Sequence, residues 1–172
     1  MQSRRPRPNA SQRPDLQPGQ EWVWDFPRPP LVEPISDRIE VWIGDDKIVD
    51  TTSAVRVCET SHPPTYYMPP RDIDMARFLP AGGGSFCEWK GGANYWDYQF
   101  QGQTLPQLAW SYDDPTDRFA SITGHLAMYA APLTKATVGG HPVTPQPGRF
   151  YGGWITPHLV GPFKGDPETL HW

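Results

Sequence analysis

The sequence predicts a mainly β fold, and three observations support this prediction. First, apolar and polar residues alternate over short runs, as they do on half-buried strands. Second, 22 prolines and 16 glycines make up about 22 % of the 172 residues, against about 12 % in average proteins, and such residues interrupt long helices. Third, turn-forming clusters separate the runs at short intervals. This pattern favours an all-β sheet or an open barrel over a parallel α/β design.

The composition is that of one folded domain without a membrane-spanning segment. A length of 172 residues corresponds to one domain, or at most two. Eight tryptophans, seven tyrosines and seven phenylalanines supply large apolar areas for a core. The net charge of −4 lacks the basic excess of nucleic-acid-binding proteins, and no apolar run reaches the length of a bilayer. We therefore expect neither nucleic acid nor a membrane as a partner.

Residues 1–20 differ in composition from the rest of the chain. They contain four arginines, one aspartate, several prolines and almost no apolar residues, so we predict a flexible, basic, proline-rich tail. An arm for nucleic acid or an acidic partner is the alternative, although four arginines are few for that role. The tail lacks the apolar stretch of a secretory signal. We therefore expect a cytoplasmic protein, with Cys58 and Cys87 reduced.

Residues 21–172 are predicted to form a single domain, which begins with two strand pairs. Apolar side chains alternate over 39–43, Gly44 begins a turn, and 47–50 continues as a strand. This pattern indicates a hairpin. A second pair is predicted over 54–59 and 65–68, because a proline-containing turn separates two runs of strand-forming residues.

Two short helices are predicted beside the strands. The first covers 70–79, with Asp72 as its N-cap and apolar residues at helical spacing before the next proline. The second follows a cap at 113–116 and carries Phe119 and Ile122 on its apolar side.

The remaining residues predict further strands and two extended terminal segments. Three consecutive glycines at 82–84 predict a hinge or wide turn. The segments 21–34 and 144–172 are rich in aromatic residues, proline and glycine, and we expect them to pack on the domain in extended form. Further strands are predicted at 85–90, 94–101, 104–112, 126–130 and 135–138.

The run 85–96 combines groups that could carry chemistry. On a strand, Cys87 would face the same side as Trp89, and a nearby cation such as Lys90 or Arg71 would favour its thiolate. The alternative is that Cys87 is a small buried apolar residue. Lys90 precedes two glycines, which would let a phosphate or carboxylate approach the backbone. A solvated strand lysine is the alternative there.

Several aromatic and charged residues are predicted to meet at one cleft. Glu59, Tyr67 and Arg71 flank a proline-rich turn, while Trp110 and Tyr112 stand at the end of a strand. A ring could stack between such side chains, although core and rim packing would explain each residue singly. Asp72 and Asp74 resemble a metal-binding carboxylate pair, but helix capping explains Asp72 better. The sequence also lacks the common phosphate-loop, metalloprotease and serine-hydrolase motifs.

A series of longer motifs extends over the chain from about Trp22 to Trp172. They occupy residues 59–67, 70–75, 86–91, 95–96, 109–112, 150–156 and 160–165. With these motifs the chain resembles the domain-of-unknown-function family numbered four-two-seven, which also carries a nucleotidyltransferase-like label. The Gly-Gly-Trp and Gly-Pro-Phe-Lys-Gly motifs near its end are typical of a longer subgroup of that family.

The resemblance implies a β-tent fold, in which a pair of antiparallel sheets lean together and hold a ligand in the cleft between them. Many β-tent relatives carry a four-cysteine zinc site. This sequence has two cysteines, Cys58 and Cys87, so we expect no structural zinc and assign no metal ligands; other cofactors stay unknown. A redox role like that of sulfoxide reductases of this group would need Cys87 as the reactive thiol and Cys58 as its resolving partner.

We therefore predict a domain that binds a small polar or aromatic ligand, nucleotide-like molecules included, in a cleft between two sheets. Lys90 and Arg71 would hold an anionic group, and Cys87 or Glu59 would be the reacting group if there is a reaction. The remaining site residues would stack on the ligand: Tyr67, Tyr95, Trp110 and Tyr112.

Two other functions stay open at this point. A magnesium-dependent nucleotidyltransferase-like enzyme would require a metal-bound triphosphate. A structural or protein-interaction module would use the proline- and tryptophan-rich segments 22–30 and 148–172 as its working surface. That module would have a protein partner or form a homo-oligomer.

Overall fold

The computed structural model describes residues 3–172 and confirms the mainly β fold with extended terminal segments. Short strands predominate and the helical segments are all 3₁₀ turns. The strands are β1 (Glu21–Trp22), β2 (Leu31–Pro34), β3 (Ile39–Ile43), β4 (Asp46–Thr51), β5 (Val55–Cys58), β6 (Thr65–Tyr67), β7 (Phe78–Cys87), β8 (Gly91–Phe100), β9 (Gln103–Ser111), β10 (Leu126–Met128), β11 (Lys135–Val138), β12 (His141–Pro142), β13 (Thr144–Pro145), β14 (Trp154–Ile155) and β15 (Leu159–Val160).

Within residues 3–172, three antiparallel sheets have three or more strands. Two of them have four strands, in the orders β12–β11–β3–β4 and β10–β9–β8–β7, and the third has the order β2–β5–β6. The predicted hairpin is confirmed as β3 and β4, in which Val41 pairs with Val49. A bridge between Met68 and Leu126 joins the third sheet to the edge of β10. The third sheet therefore meets the β7–β10 sheet along one seam.

The core lies where the apolar faces of these sheets meet. The largest cluster of buried residues takes Ile39, Val41 and Ile43 from β3, together with Tyr98 from β8 and Trp154 from β14. Successive residues of β3 alternate between buried and half-buried, as expected when one face of a strand is covered. A second buried cluster lies against the site described below and includes the following residues: Val55, Tyr67, Trp110, Tyr112, Phe119 and Ile122.

The helix predicted over 70–79 is wrong. The chain forms two separate 3₁₀ turns, Pro70–Asp72 and Met75–Arg77, with Ile73 extended between them. Ile73 bridges to Val49 of β4, and this pairing buries its side chain. The tertiary contact therefore outweighs the local helical spacing.

The capping roles in this segment also differ from the prediction. Asp72 does not cap a helix; its carboxylate accepts a hydrogen bond of 2.7 Å from the Thr51 hydroxyl. Asp74 is the N-cap of the second turn and accepts a hydrogen bond from the Ala76 amide. The two carboxylates thus have separate partners.

The strand predicted to begin at residue 85 begins at Phe78 instead. The glycines 82–84 lie inside β7, where the pairing with β8 is irregular between Pro80 and Gly84. β7 ends at Cys87, and residues 88–90 form a turn. The prediction that Cys87 and Trp89 share one face of a strand is therefore wrong, because the chain reverses direction after Cys87 to start β8.

Other helical segments are also 3₁₀ turns. The second predicted helix corresponds to the turn Asp117–Ile122, which carries buried Phe119 and Ile122 as expected. Its N-cap residue Thr116 makes no capping side-chain bond; its hydroxyl donates to the Trp89 carbonyl instead. The remaining turns are Ala10–Gln12, Val23–Asp25 and Pro167–Thr169.

Residues 3–20, the described part of the predicted tail, contact the other end of the chain. The Arg5 guanidinium pairs with Glu168 at 2.9 Å, and the Trp172 indole donates to the Arg5 carbonyl at 2.9 Å. Arg13 pairs with Asp25 at 2.7 Å. The flexibility of the tail and a domain boundary at residue 20 stay predictions, and residues 1 and 2 lie outside the described part.

The C-terminal segment lies against the sheets. β14 pairs with β13, and β15 pairs in parallel with β1 through Glu21 and Leu159. The indole of Trp154 is buried and donates to the Met128 carbonyl at 2.8 Å. Within residues 3–172, no helix has the length and apolar character that crossing a membrane requires.

Candidate ligand-binding site

A cavity of about 490 Å³ opens between the third sheet, the β7–β10 sheet and the C-terminal segment. Three parts of the chain form its walls. The turn after β5 supplies one wall, strands β7 to β9 supply the second, and residues 146–152 supply the third. The polar and charged lining residues are Glu59, His62, Thr65, Ser85, Lys90, Gln107, Gln146 and Arg149.

Most of the residues predicted for a site meet at this cavity. Arg71 is the exception: it is exposed in the turn Pro70–Asp72 and does not line the cavity. The others do line it: Glu59, Tyr67, Cys87, Lys90, Tyr95, Trp110 and Tyr112. Their roles in binding or catalysis stay predictions, whereas their proximity follows from the pairing of β8 with β9 and from the turn between β5 and β6.

Aromatic rings form the inner part of the cavity. Tyr67 is buried, and its hydroxyl accepts a hydrogen bond of 3.4 Å from the indole of Trp110. The rings of Trp110 and Tyr129 lie 4.6 Å apart between centroids. Burial raises the pKa of Tyr67 and of Tyr112 above the usual range, so both stay protonated at neutral pH. The wall therefore offers flat apolar faces and neutral hydroxyls.

Two cations line the cavity without an acidic partner. No carboxylate of residues 3–172 lies within 4.0 Å of the side-chain nitrogens of Lys90 or Arg149. The Lys90 ammonium lies 5.8 Å from the ring centroid of Tyr112 and 5.7 Å from that of Phe119. Glu59, by contrast, is neutralised by Arg28 at 3.2 Å. The cavity thus carries an excess of positive charge.

His62 is a lining residue that the sequence analysis did not single out. Its side chain is 12 % exposed, and Gln146 donates a hydrogen bond of 3.1 Å to its Nδ1. Burial, followed by the nearby charges of Lys164, Arg28 and Lys90, lowers the pKa of His62 to about 3. The imidazole is therefore neutral at physiological pH.

The two cysteines have different environments. Cys87 is half-buried and lines the cavity. Cys58 is fully buried in another apolar cluster, with Val23 and Phe26, and burial raises the pKa of its thiol to about 12. Both thiols are free. A buried, protonated thiol attacks poorly, so this arrangement disfavours Cys58 as a resolving partner for Cys87.

The third wall was missed because its residues are far from the others in sequence. The segment 146–152 has no strand periodicity, and its aromatic motif predicted packing on the sheets rather than a site. At the mouth, Phe150 of this wall and Phe86 of β7 are 75 % and 80 % exposed. These are the two most exposed large apolar side chains of residues 3–172. Both phenylalanines line the cavity.

Metal ligands are not grouped in the described part of the chain. Within residues 3–172, no three or more histidine, cysteine, aspartate or glutamate side chains are arranged to hold a metal ion. Among residues 3–172, Glu59 is the one carboxylate that lines the cavity.

One protein-family model matches more than half of this chain. A family model described as "Domain of unknown function (DUF427)" matches residues 31–139, which is more than half of the sequence. The chain belongs to the DUF427 family. The DUF427 model carries a nucleotidyltransferase-like label, NTP_transf_9. The matched DUF427 region includes two walls of the cavity, and residues 146–152 of the third wall lie beyond it. No curated protein matches the chain.

Proposed function

We propose that this DUF427 protein binds a small molecule that joins a flat ring to an anionic group. One observation carries the proposal. Within residues 3–172, Lys90 and Arg149 have no carboxylate partner, and they line a cavity in which eight of the twenty lining residues are phenylalanine, tyrosine or tryptophan. Lys90 is half-buried, so its ammonium attracts an anion more strongly than a fully exposed cation does, because solvent screens it less. Tyrosine and tryptophan faces favour a flat apolar ring.

The two cations would act differently on the anionic group. Lys90 lies above the rings of Tyr112 and Phe119, so its ammonium is confined to the inner wall and acts as a point charge. Arg149 is exposed beside Phe150, and its guanidinium could pair with a carboxylate or phosphate through two hydrogen bonds. The anionic group would thus lie between the inner wall and the mouth.

The size and lining of the cavity suit a ligand of this class. A volume of about 490 Å³ falls within the range of small-molecule sites, about 300–1,000 Å³. The ring would stack near Trp110, Tyr129 and Tyr95, while Phe86 and Phe150 would cover it from the mouth. A nucleotide is one member of this class, because a base joins a phosphate through a sugar.

Glu59 and Cys87 stay the proposed reacting groups if the bound molecule is transformed. Both line the cavity, and the Arg28 guanidinium holds Glu59 in place. Binding alone requires neither residue. The nucleotidyltransferase alternative would differ from simple binding in its strict requirement for Mg²⁺ and a triphosphate.

Thermal unfolding in the presence of matched compounds tests the proposal. Benzoate and benzamide share ring and shape but differ in charge, and AMP and ATP extend the series with and without Mg²⁺. We expect the anionic members to raise the unfolding temperature in proportion to the logarithm of their concentration above Kd. Lys90→Met and Arg149→Met should each weaken this shift, whereas Arg71→Met, away from the cavity, should not.

Three results would decide between the alternatives. Equal shifts for benzoate and benzamide would contradict the role of the cations. A shift for ATP that depends strictly on Mg²⁺ would favour the transferase. If no compound shifts the wild type, the interaction module, with a protein partner or a second copy, becomes the better account.

A further inference from the structure

The amide of Gln146 has a fixed orientation in the wall of the cavity. It is buried; its Oε1 accepts a hydrogen bond of 2.9 Å from the Gly153 amide, and its Nε2 donates at 2.8 Å to the Lys164 carbonyl. A backbone N–H cannot accept and a carbonyl cannot donate. These two partners therefore determine which end of the amide is oxygen and which is nitrogen.

The second hydrogen on the Gln146 nitrogen points to His62. The Gln146 Nε2 lies 3.1 Å from the His62 Nδ1. Because the amide nitrogen can only donate, Nδ1 must be the acceptor, and the single proton of the neutral imidazole must be on Nε2. The His62 ring also packs edge-to-face with the Tyr151 ring, with 4.6 Å between the ring centroids and 81° between the ring planes.

The protonated nitrogen of His62 lacks a hydrogen-bond acceptor among residues 3–172. The nearest carboxylate oxygen, on Glu59, is 3.7 Å from Nε2, which is too long for a hydrogen bond. Glu59 is itself held by Arg28. His62 lines the cavity, so a ligand can supply the missing acceptor.

We propose that His62 is a fixed, neutral hydrogen-bond donor to the ligand, with Gln146 as its positioning residue, so that the cavity selects molecules with an acceptor oxygen. This inference deepens the proposed function and rests on it for the nature of the ligand. It also assigns His62 no acid–base role, because the lone pair on Nδ1 is occupied by Gln146. Any proton transfer in the cavity would fall to another group, such as Glu59.

The chemical class that fits is a ring-bearing anion with a carbonyl or similar oxygen near the ring. Lys90 and Arg149 would take the anionic group, the aromatic wall would take the ring, and the Nε2–H of His62 would donate to the oxygen. A hydrogen bond of this kind contributes about 1 kcal/mol, which corresponds to about fivefold in affinity.

The first test measures the tautomer of His62 directly, without any ligand. Spectra correlating ¹⁵N and ¹H in protein labelled with ¹⁵N-histidine show which ring nitrogen carries the proton. We expect His62 to be the neutral Nε2–H form from pH 5 to pH 8. His125 is the internal control, since its Nδ1 lies 3.1 Å from the Thr123 carbonyl and should carry the proton in its neutral form.

A substitution at Gln146 separates positioning from packing. In Gln146→Glu the carboxylate has no N–H to donate and would accept from Nδ1–H, so the tautomer of His62 should reverse. A wild-type His62 in the Nδ1–H form, or protonated at pH 6, would overturn the proposal. If Gln146→Glu does not fold, the wild-type spectrum still decides.

The second test measures selectivity with two probes that share a ring and a carboxylate. Benzoylformate carries a carbonyl oxygen where phenylacetate has a methylene group. The wild type should bind benzoylformate about fivefold more tightly than phenylacetate. His62→Phe should reduce this ratio of affinities to about one. His125→Phe should preserve the ratio. Equal affinity of the wild type for both probes would overturn the selectivity. If neither probe binds, the proposed function is contradicted, and the spectra alone decide the state of His62.

Discussion

Gly152 lies so close to Trp110 that a β-carbon at position 152 would come within 2.2 Å of the Cη2 atom of the indole. The same β-carbon would lie 3.2 Å from the ring of Tyr129. This contact joins the C-terminal wall of the cavity to the strand β9. The absence of a side chain at position 152 therefore allows the third wall to close against the other two.

Gly152→Ala should displace Trp110 or the segment around position 152. Forcing an extra methyl group into a tightly packed contact costs about 1–3 kcal/mol, so the free energy of unfolding in urea should fall by that amount and the tryptophan emission should change. Gly92→Ala is the matched control, because a β-carbon there meets no atom within 4 Å. An unchanged midpoint and spectrum for Gly152→Ala would contradict the close contact.

Much of the fold could be predicted because its signals are local. The hairpin of β3 and β4 follows from alternation over five residues and a turn at Gly44, and both are visible in the sequence. Lys90, Tyr95 and Trp110 could be grouped for a similar reason, since neighbouring strands of one meander meet in space.

The parts that could not be predicted depend on contacts between distant residues. Ile73 has helical spacing but extends to pair with Val49, and local propensity carries no information about that partner. Arg149 is separated from Lys90 by several strands, and no periodicity predicts that segment 146–152 closes the cavity. The nearness of Arg71 to Tyr67 in sequence predicts a place at the cleft, but after β6 the chain turns away and pairs with β4 through Ile73.

The C-terminal segment contributes to stability as well as to the cavity. Trp154 is 1 % exposed and packs in the main core against Tyr66. Trp154→Ala should lower the free energy of unfolding by about 3–5 kcal/mol, through lost burial and a residual void. Phe150 lies at the exposed rim, so the free energy of unfolding of Phe150→Ala should stay within about 0.5 kcal/mol of that of the wild type. Similar urea midpoints for the two variants would show that segment 144–172 is not part of the cooperative unit.

The two cysteines should differ in reactivity in the native protein. Cys87 lines the open cavity, whereas Cys58 is fully buried with a pKa of about 12. Iodoacetamide at pH 8 should therefore modify Cys87 and spare Cys58 until the protein is unfolded. Peptide mass spectrometry distinguishes the two sites, and Cys87→Ser should abolish native labelling. Native labelling at Cys58, or a disulfide between the cysteines after mild oxidation, would contradict this assignment.

Acid should destabilise the protein through His62 before most carboxylates are protonated. The pKa of His62 is about 3 in the folded state and about 6.5 when unfolded, so the unfolded state binds the additional proton between these values. The free energy of unfolding should therefore fall by up to about 1.4 kcal/mol for each pH unit below 6.5. The groups that face the imidazole are Glu59, Gln146, Tyr151, Lys164, Arg28 and Lys90.

Urea unfolding of wild type and variants between pH 5 and pH 6.5 measures this contribution. His62→Phe should remove most of the slope in that window, because its ring takes no proton in either state. His171→Gln, at an exposed position, should keep the slope of the wild type. A wild-type slope near zero would show that His62 accepts its proton as readily in the folded protein as in the unfolded one, and a neutral donor at this position would then be untenable.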